Sequence, residues 1–321
     1  THSTRKPVHL TFLVDVSGSM VSPDKLGLAQ KSLAILTNNL HEGDTVAIAT
    51  YAGRVAKILD PTGIENRGRI LNAINSLRAG GSTAMNDGLK LAYTLALTNF
   101  KRDDVNRVLV LTDGDANVGP HSHQDILKQI HSYVDEGVTL STIGFGMGNY
   151  KDTMLEQLAD KGNGNYQYID TEQEARKVFG DQLDGTLQVI AKDVKIQVEF
   201  EPSAVKSYRL IGYENRDIAD KDFRNDKVDA GEIGAGHTVT ALYEIVLTDK
   251  KVDKLATVRI RHKEPQGAHA SEQAFLLTRN DLRSSVQEAS KDFQFATAVA
   301  GFAEILRHSP YAKNLSLNLS E

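Results

Sequence analysis

Three short segments carry side chains whose types and spacing could do chemistry together. DVSGSM sets Asp15, Ser17 and Ser19 two residues apart, directly after the apolar run VHLTFLVD. GGSTAMND sets Thr83 in a glycine-rich loop ahead of a helical pattern, and the run RVLVLTD ends on Asp113. All five side chains offer oxygen, the donor that hard cations take; Mg2+ binds such oxygens at about 2.0–2.1 Å in an octahedron and keeps several waters. The carboxylates of Asp15 and Asp113 balance the ion's formal charge. The hydroxyls of Ser17, Ser19 and Thr83 add no further anionic charge, so an ion held there stays attractive to a carboxylate from outside. Mn2+ and Ca2+ accept similar oxygens and are the alternatives.

Other chemistry fits these residues less well. Ser17 and Ser19 do not sit in the G-x-S-x-G turn of a serine nucleophile, and no histidine follows in an arrangement that suggests a triad. An aspartyl phosphatase would want a second acid two residues after Asp15, where Ser17 stands. Gly144, Gly146 and Gly148 follow a strand-like run, but their spacing matches neither a dinucleotide fingerprint nor a P-loop, and they read as a loop on the rim of the same face. His121 and His123 alternate in PHSHQD without a cysteine beside them and read as solvent-exposed. Asp115 reads as a turn residue or as one that orients bound water. Asp226, Asp229 and Glu232 lack the spacing of a calcium loop and read as a solvated connection. Tyr208, Tyr213 and Tyr243 read as core or edge residues of a sheet. No catalytic residue is assigned, and the protein is read as not an enzyme.

The elements that must position these residues follow from the patterning. From residue 8 to about 183, strand-like apolar runs alternate with helical patterns near 24–40, 64–78, 86–99, 123–136, 151–160 and 171–183. Such alternation predicts a doubly wound, mostly parallel sheet with helices on both faces. Ligands bind such sheets at the carboxyl ends of the strands, where neighbouring connections leave for opposite faces. Ser22 followed by Pro23 reads as a helix start, with Ser22 as the cap. Around Asp184 and Gly185 the texture changes. Val194, Ile196, Val198 and Phe200 then alternate with Lys195, Gln197 and Glu199, and KSYRLIGYE, TVTALYEIVLT, ATVRIRH and EQAFLLT follow without helices between them. These predict an antiparallel, β-sandwich-like domain. Five strands are thin for a sandwich and leave room for strands from sequence preceding Thr1. Val286, Ala289, Phe293, Ala296, Val299, Phe302 and Leu306 recur every three or four residues, predicting an amphipathic helix over 284–308 whose stripe docks on the body of the protein, the alternative being an exposed helix that binds a partner. The division is therefore residues 1–186, 187–282 and 283–321.

Together DVSGSM, GGSTAM and LTDGD resemble the metal-ion-dependent adhesion site of von Willebrand factor A (vWA) domains, Asp-x-Ser-x-Ser, then Thr, then Asp. The pattern maps onto Asp15, Ser17, Ser19, Thr83 and Asp113 with no member missing, and the resemblance covers about residues 6–185. It implies a Rossmann-like sheet with a short antiparallel edge strand, a place RVAKIL at 54–59 would fill. It also implies that Ser17, Ser19 and usually Thr83 touch the metal while Asp15 and Asp113 act largely through water, leaving a position for a partner's Asp or Glu. The second half, with VKIQVEFEP, YRLIGYENR, DKVDAGEIGAGHTVTALYEI and DFQFATAVAGFAEILRHSPY, resembles the C-terminal region of bacterial YfbK-like proteins. In that group another conserved segment usually precedes the A domain, and many members carry export or lipoprotein signals. The resemblance thus implies a periplasmic, cell-envelope or secreted protein.

Composition limits the partners. Residues 1–185 carry 18 basic against 22 acidic side chains and the remainder 19 against 20, so neither part has the basic excess that nucleic acid attracts. No apolar run approaches the length of a membrane span. With no cysteine, disulfides, thiol catalysis and cysteine-ligated zinc are excluded. The start THSTRKPVH, with neither Met nor an apolar leader, reads as that of a mature or trimmed chain. The reading is a metal-dependent protein–protein interaction or adhesion module; the alternative is an accessory vWA subunit of a metal-chelatase or AAA-type ATPase complex, which the trailing sandwich argues against.

Overall fold

The computed structural model describes residues 6–82, 85–114, 120–146, 152–181, 183–187, 189–213, 218–228, 230–234, 237–265, 267 and 269–312. They fall into two compact units, one running through Lys192 with Gly231–His237 added, the other Asp193–Ala230 with Thr238–Glu321.

The first unit is built on six strands, β1 (Val8–Asp15), β2 (Thr45–Tyr51), β3 (Val55–Gly63), β4 (Val105–Thr112), β5 (Val138–Phe145) and β6 (Tyr166–Ile169). Their order across the sheet is β3-β2-β1-β4-β5-β6. All neighbours are parallel except β2 and β3. The antiparallel edge strand expected from RVAKIL is therefore present, and it runs on to Gly63. Its register against β2 slips between Val46 and Ile48 and again between Ile48 and Ala49. The helices are α1 (Leu28–Asn39), α2 (Arg67–Asn75), α3 (Met85–Thr98), α4 (Pro120–Asp135), α5 (Asp152–Lys161), α6 (Glu172–Arg176) and α7 (Leu183–Leu187). A chain that leaves β1 returns in β2 on one side, whereas a chain that leaves β4 returns in β5 on the other. The adjacent strands β1 and β4 thus flank the switch point at which open α/β sheets bind ligands.

Strand β1 is buried along its whole length, which is why it reads as a continuous apolar run. Leu10, Phe12 and Val14 enter one core with Leu33 and Leu36 of α1 and Ile70 and Ile74 of α2. Leu13, facing the other way, joins Tyr51, Leu89, Ala92 and Tyr93. Gly88 lets α3 approach this second core, since a Cβ there would lie 2.7 Å from Tyr51 Cβ and 3.2 Å from Leu13 Cδ1. Both neighbours are fully buried and have nowhere to move. Gly88→Ala is expected to lose about 1–2 kcal/mol in urea denaturation, because overpacking outweighs the gain of about 1 kcal/mol in helix propensity; a variant as stable as the wild type would show that α3 can shift outward.

Two local expectations change here. The helix after DVSGSM opens with a π-type turn over Pro23–Gly27. The Ser22 side chain makes no capping bond to the backbone but donates instead to the Asp24 carboxylate, a closer acceptor. The single helix expected over 171–183 is broken by a wide turn over Lys177–Asp181 between α6 and α7.

In the second half β7 (Val189–Phe200) is followed by β8 (Val205–Ile211), β9 (Gly231–Gly234), which groups with the first unit, β10 (Leu242–Leu247), β11 (Lys254–Lys263), β12 (Ala270–Thr278) and the helix α8 (Lys291–Leu306); β10 pairs β8 and β11 pairs β12, both antiparallel. Strands order as β12-β11-β7-β9 in one sheet and β10-β8 in another. Their shared core is small, with Ala204, Val205 and Leu255 buried and Phe200, Ile245, Leu247 and Leu277 packed against them.

Burial along β7 does not follow the expected period of two. Lys195 is the buried residue and Ile196 is 47% exposed, because the Lys195 ammonium donates to the carbonyls of Asn225 at 2.6 Å and Asp222 at 3.4 Å. Glu232 belongs to β9 rather than to a solvated connection, while Asp226 does lie at the surface, paired with Arg261 at 2.8 Å; Asp229 is outside the described residues. Tyr208 packs tilted against Phe200 and Tyr243 meets it edge-on, with ring centroids 4.5 and 5.4 Å away, and Tyr213 donates to the Thr240 carbonyl at 2.9 Å.

Helix α8 begins later than predicted, at the Ser290 cap, which accepts from Phe293 N–H. Its apolar stripe does not dock as expected: Phe293, Val299, Phe302 and Leu306 are exposed. The anchored side is polar, through buried Glu304, which accepts from Arg209 at 3.0 Å and from the Ser309 hydroxyl at 2.7 Å.

Candidate metal centre

Asp15 ends β1, and Asp113 follows directly on Thr112, the last residue of β4. Both carboxylates arrive at the carboxyl edge of the sheet and both are buried. One Asp15 oxygen, Oδ1, accepts the Ser17 N–H at 2.8 Å, and the other, Oδ2, accepts the Thr112 hydroxyl at 2.8 Å. Thr112 in turn accepts from Gly114 N–H at 3.2 Å. The tight turn between Asp15 and Ser17 points the Ser17 hydroxyl back over the edge, 3.0 Å from the Ser19 hydroxyl.

The glycine loop is stitched to this turn. Gly18 N–H donates to Gly81 O at 2.9 Å and Gly80 N–H to Val16 O at 2.7 Å. Gly81 has φ +90, and a Cβ there would also press on the Gly53 backbone nitrogen at 3.1 Å, so glycine is required by both conformation and space. Of the predicted donors the structure brings together Asp15, Ser17, Ser19 and Asp113. Thr83, two residues beyond Gly81, lies outside the described residues, as do Asp115, Gly148 and the side chains of His121 and His123. Gly144 lies within β5, and Gly146 follows that strand on the same edge.

Electrostatics sets a cost on this arrangement. Burial pushes the Asp15 carboxyl above the ordinary aspartate range; bonds from Ser17 and Thr112 pull it back, and the neighbouring Asp113 charge raises it again. Beneath it, Tyr51 is fully buried, and its hydroxyl stands close to Asp15 and Thr112 without a hydrogen bond of ordinary geometry. Burial first, then the Asp15 charge, drives that hydroxyl well above the usual tyrosine range. Two buried carboxylates and two hydroxyls in contact form an all-oxygen donor set of the kind a hard dication takes. Among the described residues no cluster of three or more His, Cys, Asp or Glu competes as a metal site.

Lys25, which the sequence reading did not single out, also reaches the centre. Its ammonium donates to Asp113 Oδ2 at 2.9 Å and to the Ser19 carbonyl at 3.1 Å. A lysine six residues past Ser19 carries no local signal of such reach. Thr112 and Tyr51 were missed as well, being indistinguishable in sequence from other strand residues.

Residues 9–181 match the von Willebrand factor type A domain. The chain belongs to that family. Beyond the vWA domain, residues 185–254 and 248–320 match the C-terminal region of the uncharacterized protein YfbK. The chain is 42% identical over 327 residues to Escherichia coli YfbK, covering 96% of itself and 56% of that protein. It is 27% identical over 275 residues to the uncharacterized protein sll0103 of Synechocystis, covering 82% of itself and 63% of the relative. The chain thus spans little more than half the length of these relatives. A von Willebrand factor type A structure from Catenulispora acidiphila superposes with a TM-score of 0.54 at 18% identity, over 94% of this chain and 74% of that one, so the fold is shared across both halves. The vWA family commonly mediates protein interactions and adhesion, in general without catalysis, and its members often bind a divalent metal at the adhesion site. Among the described residues no helix is long and apolar enough to cross a membrane.

Proposed function

We propose that Asp15, Ser17, Ser19, Thr83 and Asp113 hold one divalent cation, Mg2+ before Mn2+ or Ca2+, and that a partner protein supplies an Asp or Glu side chain to complete its coordination. The observation that carries this reading is the convergence of two buried carboxylates with the Ser17 and Ser19 hydroxyls at the switch point of the sheet. Asp15 and Asp113 supply the charge that holds the ion; Ser17, Ser19 and Thr83 supply neutral oxygens, so a bound dication retains Lewis acidity toward an outside carboxylate. Asp15 is held in place by Ser17 N–H and the Thr112 hydroxyl and has little freedom to turn away. The protein is a binding module rather than an enzyme in this reading, acting in the periplasm, at the cell envelope or outside the cell.

The test is capture of native envelope proteins on the immobilised chain. Partners are expected to be retained in Mg2+, released by a chelator, and absent from a column of the Ser17→Ala, Ser19→Ala double variant. Retention that survives both the chelator and the substitutions would sink the reading.

A further inference from the structure

Lys25 is gripped by three segments of the metal edge. It stands on the turn Pro23–Gly27. Its ammonium bonds Asp113 beyond β4 and the Ser19 carbonyl beyond β1. Its stem passes over Gly146, beyond β5, so closely that a Cβ at Gly146 would lie 2.7 Å from Lys25 Cε and 2.8 Å from Cγ. Gly146 has φ +83, a conformation open to glycine, and its carbonyl is held by the Tyr168 hydroxyl at 2.8 Å. The lysine therefore runs in a seat that the neighbouring strand end leaves free of side chain. At its tip, the Lys25 side chain is 23% exposed while that of Asp113 is 2% exposed, so solvent screens the ammonium on one side and hardly screens the carboxylate at all.

A unit positive charge at hydrogen-bond distance from Asp113 opposes a dication on the same carboxylate twice over. It repels the ion through space, and it occupies Oδ2, one of the two Asp113 oxygens through which metal or metal-bound water would be held. We propose that Lys25 is a tethered cation that competes with the divalent metal for Asp113, so that loading the site requires the Lys25 ammonium to leave Oδ2. This rests on the metal reading above and deepens it. With its ammonium on Oδ2, Lys25 neutralises one of the two acidic ligands, and a positive charge tethered beside the site would weaken a bound dication. The wild-type site is then a weak one by construction, and its occupancy follows the concentration of free Mg2+ instead of being permanent.

The experiment is isothermal titration of MgCl2 into chelator-stripped full chain, comparing wild type with Lys25→Met and Lys25→Arg, beside thermal melts with and without saturating Mg2+. Lys25→Met removes the charge and keeps most of the stem; Lys25→Arg keeps the charge. Lys25→Met is expected to bind Mg2+ at least about ten-fold more tightly, and Lys25→Arg to stay within about two-fold of wild type. Stripped Lys25→Met should melt below stripped wild type, because Asp15 and Asp113 then face each other without a cation, and saturating Mg2+ should erase that difference. An unchanged or weaker Mg2+ affinity in Lys25→Met overturns the proposal and leaves the metal reading standing. An equal loss of melting temperature in both metal states also overturns it, marking Lys25 as a structural clip. Absence of Mg2+ binding by both wild type and a folded Lys25→Met overturns the metal reading and the proposal with it.

Discussion

Asp15→Asn is expected to weaken Mg2+ uptake severely while raising the melting temperature of the chelated protein. The carboxyl of Asp15 is pushed up by burial, drawn down by Ser17 and Thr112, and pushed up again by Asp113. A carboxyl whose folded value is raised stabilises the fold below its unfolded range, and that contribution is lost as the pH climbs through the folded value. At neutral pH the ionised form is therefore a cost. Asparagine keeps a carbonyl oxygen for the Ser17 N–H, and the Thr112 hydroxyl can turn to accept from the amide. Removal of this local conflict should return about 0.5–2 kcal/mol, the usual scale for relieving a functional site, or about 2–4 °C per kcal/mol in a domain of this size. The advantage over wild type should shrink as the pH is lowered toward the ordinary aspartate range. Loss of one of two charged ligands should weaken Mg2+ by at least about 100-fold. Thermal scans in chelator from pH 8 downward and a Mg2+ titration check the two halves; a variant less stable than wild type at pH 8 would mean that Asp15 is a net stabiliser.

The second large effect concerns the fold. Gly164→Ala is expected to cost at least about 4 kcal/mol, in the range reserved for core disruption. The segment joining α5 to β6 crosses β5 so closely that a Cβ at Gly164 would stand 2.0 Å from the Leu140 carbonyl oxygen and 2.6 Å from its carbon. The crossing cannot open cheaply. Leu140 N–H donates to Gly162 O at 2.8 Å, Thr142 N–H to Asn165 O at 3.1 Å, and Gly164 N–H to Ala159 O at 3.0 Å. Gly68 in α2, with nothing within 4 Å of its absent Cβ, is the control, and Gly68→Ala should gain about 0.5–1 kcal/mol. Urea midpoints of the two variants should move in opposite directions; near-wild-type stability for Gly164→Ala would require the backbone of β5 to move.

What the sequence made legible follows from phase. Asp15 and Asp113 come where buried apolar runs end, and a run that is buried on both faces must release its next residue at the sheet edge; their place was readable without a structure. Ser17 and Ser19 follow from the same logic plus a tight turn. Lys25 was not readable, because what matters is the far end of a flexible side chain and a glycine more than a hundred residues later. Lys195 broke the alternation of β7 for a similar reason, since its burial depends on two carbonyls between Asp222 and Asn225 that only the folded chain brings near. The four residues of β9 are too few, and too rich in glycine, to show a period of two. For α8 the spacing was read correctly and its use was not: a single buried Glu304 with its partner Arg209 orients the helix, and the apolar stripe follows.

An outermost strand with free backbone groups invites a second sheet to grow onto it. Here β3 presents Lys57 and Asp60 outward, slips twice in register, and carries Pro61, which has no N–H to offer. Such a border resists lateral templating along this edge of the sheet.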